Sequence, residues 1–438
     1  MTQEKPFFNL KAVVQQTGLK PDTLRAWERR YGLPAPERSA GGHRLYSQHD
    51  ISLIKWLMAR QREGLSIKRA VDLWRQIEAE GRDPLRAPTP IASPSTRVPS
   101  QRPSGSTIDE LRHDWVEACL AFKELEAEQA INQAFALYTP ETVSVELLQK
   151  AMAEIGQGWY EGNVTVQQEH FCSELALRRL EAQVMAAPPP TRPGRILVAC
   201  PPEEHHVFGL LLLTLLLRRR GWAVVYLGAN VPVARLETTV EATSPQMVIL
   251  AAQQLHSAAS LLEAAQALQD LEVPLAYGGL IFNLQPALQE QIPGHFLGQE
   301  LASAAEAVER LMTAPRPLPK GTTVPERYHQ AREHFGERQG IIESLVTHEL
   351  ASQQVGKQYL NMATHELGTN IDAALALGSM EYLGGDIEWL RGLIQSHGIP
   401  AEALEAYLRA YYRAAREQLD DRGKPIIDWL SKVLDEQA

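Results

Sequence analysis

Between residues 193 and 312 short apolar runs alternate with longer helical stretches, and this alternation restricts the fold more than any other feature of the chain. Strands are expected at Ile196–Cys200, Ala223–Leu227, Met247–Ala251 and Leu275–Tyr277, with a short one near His295–Leu297. Helices are expected at Val207–Arg220, Val233–Thr243, Ser257–Leu271 and Gly298–Leu311. Repeated βα units of this length give a doubly wound parallel sheet. Gly228, Gly278 and Gly279 follow strands, where a backbone must turn sharply or approach a ligand closely. The first strand is followed by no Gly-x-Gly-x-x-Gly and no Walker motif, which disfavours nucleotide binding of those kinds.

The turn after the first strand reads Cys200-Pro-Pro-Glu-Glu-His-His-Val-Phe-Gly209. In an open α/β sheet, ligands sit at the carboxyl ends of the strands. A neutral imidazole there binds a metal through one nitrogen while a carboxylate takes the proton on the other. Glu204 and His206 have the types and spacing for that pair. A surface turn that merely contains histidines is the alternative.

A chain of 438 residues makes two to four domains. No apolar run reaches transmembrane length, and the greasiest, Leu210–Leu217, is stopped by Arg218-Arg-Arg220. The first residues lack the apolar core of a signal peptide. Three cysteines, far apart, support neither a disulfide framework nor a zinc cluster. A cytoplasmic protein without a membrane partner is expected. The net charge of −10 excludes a chain that is basic throughout but not a local basic face.

Such a face occurs near the N-terminus. Phe8–Gly18 and Leu19–Tyr31 read as two helices joined by a glycine turn, and the second carries Lys20, Arg25, Arg29 and Arg30. Arg38, the loop Gly41-Gly42, His43-Arg44-Leu45-Tyr46 and helices at Gln48–Glu63 and Ser66–Glu78 follow. Clustered arginines beside a tight turn suit phosphates, with one helix free to enter a major groove; a solvated helix face is the bland alternative. The run Gly18-Leu-Lys-Pro-Asp-Thr-Leu-Arg-Ala-Trp-Glu-Arg-Arg-Tyr-Gly-Leu33, with Gly42-His-Arg-Leu-Tyr-Ser47 and Asp50-Ile51, resembles the MerR family of winged helix-turn-helix regulators. The resemblance implies a DNA-binding domain over residues 1–82 with a wing at Gly41–Tyr46. It also implies DNA contacts by Arg25, Arg29, Arg30, Arg44 and Tyr46, and a dimer on a palindromic operator.

Residues 83–106 are crowded with Pro, Ser, Thr and Arg and read as a flexible linker, so signals are expected to pass through assembly rather than a rigid strut. Residues 107–187 read as a four-helix bundle. It contains Trp159-Tyr-Glu-Gly-Asn-Val-Thr-Val166-Gln-Gln-Glu169-His170, in which Trp159 alone reads as core and Glu169-His170 as a surface pair.

The combination Glu204-x-His206-x-x-Gly209, Leu227-Gly-Ala-Asn-Val231-Pro232 and Gly278-Gly279 resembles the cobalamin-binding domain over residues 193–314. The resemblance implies that His206 ligates cobalt, Glu204 orients it, and Gly209, Gly228, Val231, Gly278 and Gly279 line the cofactor. His205 is the rival ligand but stands one residue out of register with Gly209. The family has a Ser after the third strand, where this chain has Ala252-Gln253-Gln254.

A MerR module, a helical bundle and a cobalamin domain in this order resemble the CarH/LitR family of light-responsive repressors. The resemblance makes the bundle a cap over adenosylcobalamin, with Trp159, Val166, Glu169 and His170 around the adenosyl group. It implies a dark dimer or tetramer on operator DNA that light dissociates, and no enzymatic activity. One departure is Tyr160, where well-known members carry a His that takes the upper cobalt position after photolysis. A phenol ionises only at about pH 10 and is a poorer ligand, which leaves water or His170 for that position. A cobalamin regulator read without light and a corrinoid transfer module are the alternatives.

Residues 325–438 extend beyond the family architecture. Helices are expected at Arg327–Phe335, Gln339–Tyr382, Gly385–His397, Ala401–Leu419 and Lys424–Glu436. Asn361-Met-Ala-Thr-His365-Glu-Leu-Gly-Thr369 looks like a histidine-kinase H-box, without the ATP-binding half. Tyr382, Trp389, Tyr407, Tyr411, Tyr412 and Trp429 fit a helical core or a chromophore pocket. A second ligand such as a bilin, a protein partner and an oligomerisation surface stay open for this domain.

Overall fold

The computed structural model describes residues 8–17, 19–38, 42, 44–62, 67–68, 70–71, 74–75, 107–314, 316–350, 357–384, 387 and 401–436. The linker 83–106, wing residues Gly41 and His43, most of the expected helix 66–78 and all but Ile387 of the expected helix 385–397 lie outside them. The chain divides into two compact units, residues 1–102 and 103–438.

In the first unit, α1 (Leu10–Thr17) and α2 (Pro21–Tyr31) are the expected helix pair. Phe8–Asn9, expected as the start of α1, is instead a short strand, β1, paired with β3 (Arg44–Tyr46); β2 (Glu37–Arg38) pairs with the other edge of β3. Pro21 opens α2, where its missing N–H costs nothing, and Gly32 closes it in the left-handed region at φ 66°. With α3 (Gln48–Arg62) these elements enclose Val13, Leu24, Trp27, Tyr46, Ile51, Ile54 and Leu57.

The second unit begins with a bundle. Thr107 and Glu110 form a reciprocal capping box at the start of α4 (Ile108–Leu120), and Thr165 and Gln168 form another at α7 (Val166–Met185). Between them lie α5 (Glu124–Leu137) and α6 (Lys150–Tyr160), the latter entered through a π-helical turn over Val143–Gln149. The long helix α7 belongs to two cores. Its Cys172, Leu175 and Ala176 pack inside the bundle, and its Leu180 and Val184 pack under the sheet. Phe208 touches both cores from the far side.

The sheet is five-stranded and parallel in the order β5-β4-β6-β7-β8. Its strands are β4 (Arg195–Ala199), β5 (Ala223–Gly228), β6 (Met247–Ala251), β7 (Leu275–Gly278) and β8 (His295–Phe296). One face packs on α8 (Phe208–Arg219), and the other on α9 (Leu236–Thr243) and α10 (Leu255–Asp270). A short helix α11 (Leu280–Leu284) follows β7, and α12 (Leu301–Thr313) closes the domain against α8. The direction of the chain reverses about β4, which places a crevice at the ends of β4 and β6.

The C-terminal region is helical, but its first helix differs from expectation. The break expected near Gly336 is absent, and α13 (Glu326–Leu350) runs unbroken through Gly336 and Gly340. Buried Ala331, Phe335, Ile342 and Val346 keep one apolar stripe across both glycines, so packing outweighs their weak helix propensity. Then come α14 (Lys357–Ala376), α15 (Ala401–Gln418) and α16 (Lys424–Asp435). The core of this region is continuous with the α9–α10 face of the sheet, and α14 packs directly on α10. Arg332 bridges the seam to Asp372 at 2.9 Å and to Glu263 of α10 at 3.3 Å.

Candidate functional site

The turn between β4 and α8 folds back over the strand ends. Val231 N–H donates to Cys200 O at 3.0 Å, and Asn230 N–H donates to Glu204 O at 3.0 Å. Glu203 and Asn230 adopt left-handed backbone at φ 65° and 50°, and the Asn230 side chain accepts from Glu203 N–H at 3.0 Å. This folding buries Glu204, which is only 1% exposed.

A buried carboxylate needs hydrogen-bond partners, and Glu204 has four. Its Oε1 accepts from His206 N–H at 2.8 Å and lies 2.7 Å from His206 Nδ1. Its Oε2 accepts from Gln253 N–H at 2.6 Å and from Ser257 Oγ–H at 2.7 Å. Glu204 therefore ties the turn after β4 to the turn after β6, across the crevice. Burial alone would raise its pKa, but the hydrogen bonds from His206, Gln253 and Ser257 prevail and hold it at about 2. The His206 imidazole is raised by the same bond to Glu204, against the opposing effect of burial.

An ionised Glu204 only accepts, so Nδ1 carries the proton and the Nε2 lone pair of the neutral ring is left for a metal. The His206 side chain is 60% exposed, and the carboxylate engages it rather than the neighbouring exposed His205. One imidazole gives one donor, which suits a metal that arrives with its other ligands in place. Around it the crevice is open and apolar. Leu227 near the end of β5 and Leu280 and Leu284 of α11 are exposed, and a Cβ at Gly228 or Gly278 would meet nothing within 4 Å. Gly279 is different. At φ 124° its Cβ would lie 1.9 Å from Ala252 O, so only glycine allows β6 and β7 to end so close together. Gly209 lies in the first turn of α8, where a Cβ would meet Leu301 at an ordinary 3.9 Å. Val231 is half-buried against the core.

The bundle carries the second group of candidate residues. Trp159 and Tyr160 are half-buried at the end of α6, and Val166 is exposed at the start of α7. Glu169 Oε2 lies 2.7 Å from His170 Nδ1, and Glu169 Oε1 accepts from Ser173 Oγ–H at 2.5 Å. The Glu169 charge is near enough to join Glu204 in raising the His206 imidazole.

In the first unit, Arg25, Arg29 and Arg30 project from α2 as exposed side chains. Tyr46 corrects the expectation of a direct DNA contact. It is fully buried, and its hydroxyl donates to Glu28 Oε1 at 2.6 Å while Arg44 Nε donates to Glu28 Oε2 at 2.8 Å. An aromatic ring at the end of β3 gains more from the core than from solvent, so Tyr46 braces the wing against α2.

Sequence reasoning missed Glu28, Gln253 and Ser257 as partners. Ser257 stands five residues beyond Ala252, and only the folded turn after β6 brings its hydroxyl to Glu204. In the C-terminal region His365 is 73% exposed with Nδ1 3.8 Å from Glu343. Tyr382, Tyr407, Tyr411 and Trp429 are core residues; Tyr412 is half-buried, and Trp389 lies outside the described residues. Among the described residues no helix is long and apolar enough to cross a membrane.

The MerR HTH family model matches residues 8–77, and two B12 binding domain models match residues 111–182 and 194–308. The chain is 30% identical over 299 residues to the HTH-type transcriptional repressor CarH of Myxococcus xanthus, covering 67% of this chain and 96% of that one. The chain belongs to the CarH family of MerR-type, cobalamin-binding repressors. It is also 30% identical to the repressor CarA of Myxococcus xanthus, over 55% of this chain and 75% of that one. Among solved structures it is similar to a monomethylamine corrinoid protein of Methanosarcina barkeri. That match has 18% identity and a TM-score of 0.38, over 46% of this chain and 97% of that one. The MerR and B12-binding matches of this CarH-family chain end at residue 308, so its helices α13–α16 extend beyond them.

Proposed function

We propose that this CarH-family protein is an adenosylcobalamin-dependent, light-responsive repressor that binds operator DNA as a dark oligomer and leaves it on illumination. The observation that carries the reading is the buried Glu204, which holds the exposed His206 side chain by Nδ1 in the turn after β4.

In this reading His206 would hold the cobalt, and Glu204 keeps its imidazole in the ligating tautomer. Gly209, Gly228, Val231 and Gly278 would line the corrin and its nucleotide tail, with Gly279 beside them letting β6 and β7 end close together. Trp159 and Val166 would cover the adenosyl group from the bundle, and Glu169 and His170 would meet its ribose. Adenosylcobalamin, when bound, supplies the light-labile cobalt–carbon bond. Because α7 belongs to both cores, a cap held over an adenosyl group fixes one arrangement of bundle and sheet, and its loss releases that arrangement. A ligand stabilises an assembly only by its preference for that state, so the cap couples cofactor to oligomer. Arg25, Arg29, Arg30 and Arg44 would contact the operator.

A cobalamin sensor read without light is the second reading, and Tyr160 at the end of α6, where the family carries a histidine, favours it. Absorption spectra of the protein reconstituted with adenosylcobalamin test the two. An irreversible spectral change on green illumination, accompanied by a smaller species in gel filtration, supports the light reading; an unchanged oligomer contradicts it.

A further inference from the structure

A cavity of about 300 Å³, lined by none of the crevice residues, opens between α4 and α6 of the bundle. Small-ligand sites start at about this volume. Its floor is apolar: Val116, Ile155 and Val164 are buried there, and Leu120 is half-buried. Gly158 shapes it. A Cβ at Gly158 would lie 2.7 Å from a methyl of Val164. The Gly158 carbonyl accepts from Asn163 N–H at 2.8 Å and from Val164 N–H at 3.0 Å, which folds the turn after α6 back against the helix.

Two carboxylates, Glu154 and Glu161, stand at this cavity, and both side chains are exposed. They are two helical turns apart, so they share one face of α6 at a separation of about 10 Å. Glu161 is held in position. Its Oε1 accepts from Gln157 Nε2–H at 2.7 Å and its Oε2 from Asn163 Nδ2–H at 3.2 Å. Both donors are neutral amides, so they orient the carboxylate and leave its charge uncompensated. Glu154 has no hydrogen-bond or ion-pair partner among the described residues. Lys150, one turn before it, is engaged by Glu146 at 2.5 Å.

The spacing and the floor decide the chemistry. A single metal ion cannot reach both carboxylates, because metal–oxygen contacts are only about 2.0–2.6 Å long. A molecule with a cation at each end can. The apolar floor gives a polar connector no partner and suits a chain of methylenes. We propose that this cavity binds a linear aliphatic diamine or polyamine. One ammonium meets Glu154, another meets Glu161, and the methylene chain lies on Val116, Leu120, Ile155 and Val164. The site stands apart from the cobalamin reading, on the helix whose last turn carries Trp159 and Tyr160.

Isothermal titration calorimetry of the full chain tests this, with hexamethylenediamine, hexylamine and hexanediol as probes. The diamine is expected to bind about fivefold more tightly than hexylamine, and hexanediol is expected not to bind. Glu154→Gln and Glu161→Gln should each lower the diamine affinity to that of hexylamine while leaving thermal melting unchanged. Glu174→Gln, which removes an exposed carboxylate of α7 outside the cavity, should leave it at the wild-type value. Absence of diamine binding, equal affinities for diamine and hexylamine, or wild-type affinity in Glu154→Gln or Glu161→Gln would overturn the proposal. An equal loss in Glu174→Gln would also overturn it, since it marks general attraction to an acidic surface.

Discussion

Ser257 donates its hydroxyl to Glu204 across 53 residues of sequence, at 2.7 Å, and so fastens the helix after β6 to the turn that carries His206. Residues that orient a metal-binding histidine typically set metal affinity within about 10–100-fold. Glu204→Ala is therefore expected to weaken hydroxocobalamin binding by a factor on the order of 10–100. Ser257→Ala, which removes one of four donors and about 1 kcal/mol, should cost about fivefold. Spectral titration of the two variants checks the order; equal affinities for wild type and Ser257→Ala would contradict it.

The Glu204 carboxyl also makes stability depend on pH. Its folded pKa of about 2 lies below the ordinary value of 4.5, so the folded state binds the proton less well than the unfolded chain. The contribution is complete above the unfolded value and is lost as pH falls from there toward about 2. Integrated over that interval it amounts to about 3 kcal/mol. Denaturation of the cofactor-free protein should show wild type more stable than Glu204→Gln at neutral pH, with the gap shrinking as the solution is acidified. A gap that widens on acidification would contradict the linkage.

The DNA module separates bracing from contact. Tyr46→Phe leaves Glu28 without one donor in a half-buried position and should lower stability by about 1 kcal/mol. Operator affinity of the folded protein should barely change. Arg29→Ala or Arg30→Ala should leave melting unchanged, weaken operator binding and reduce the slope of log affinity against log salt by about 1 each. Binding measured at several salt concentrations, beside thermal melts, distinguishes the two classes.

The C-terminal helices share a core with the sheet rather than hanging from it, because α14 packs on α10 and Arg332 reaches both Asp372 and Glu263. Deleting residues 320–438 should expose the apolar side of α10 and lower the melting temperature of the remaining protein by about 5 °C or more. An unchanged melting temperature would show the seam to be energetically idle.

Much of this was legible in the residues, for reasons that differ by element. The βα alternation over 193–312 is a strong periodic signal, and it places Glu204 and His206 at a strand end without further help. The partners of Glu204 were not legible, because Gln253 and Ser257 reach it only after β6 is laid beside β4. Tyr46 was misread because its sequence context is the wing, while burial depends on Glu28 of α2 turning its carboxylate inward. The unbroken helix through Gly336 was hidden by local propensity, which the apolar stripe of α13 overrides. The cap-side group was half visible: Glu169-His170 could be read, but Ser173 one turn later carries no motif of its own.

The most direct test of the central claim is a gel shift with operator DNA and the adenosylcobalamin-loaded protein, run in the dark and after green light. The account predicts tight binding by a dark oligomer and a marked loss of affinity after illumination. Identical shifts before and after light, with the cofactor bound in both, would contradict it.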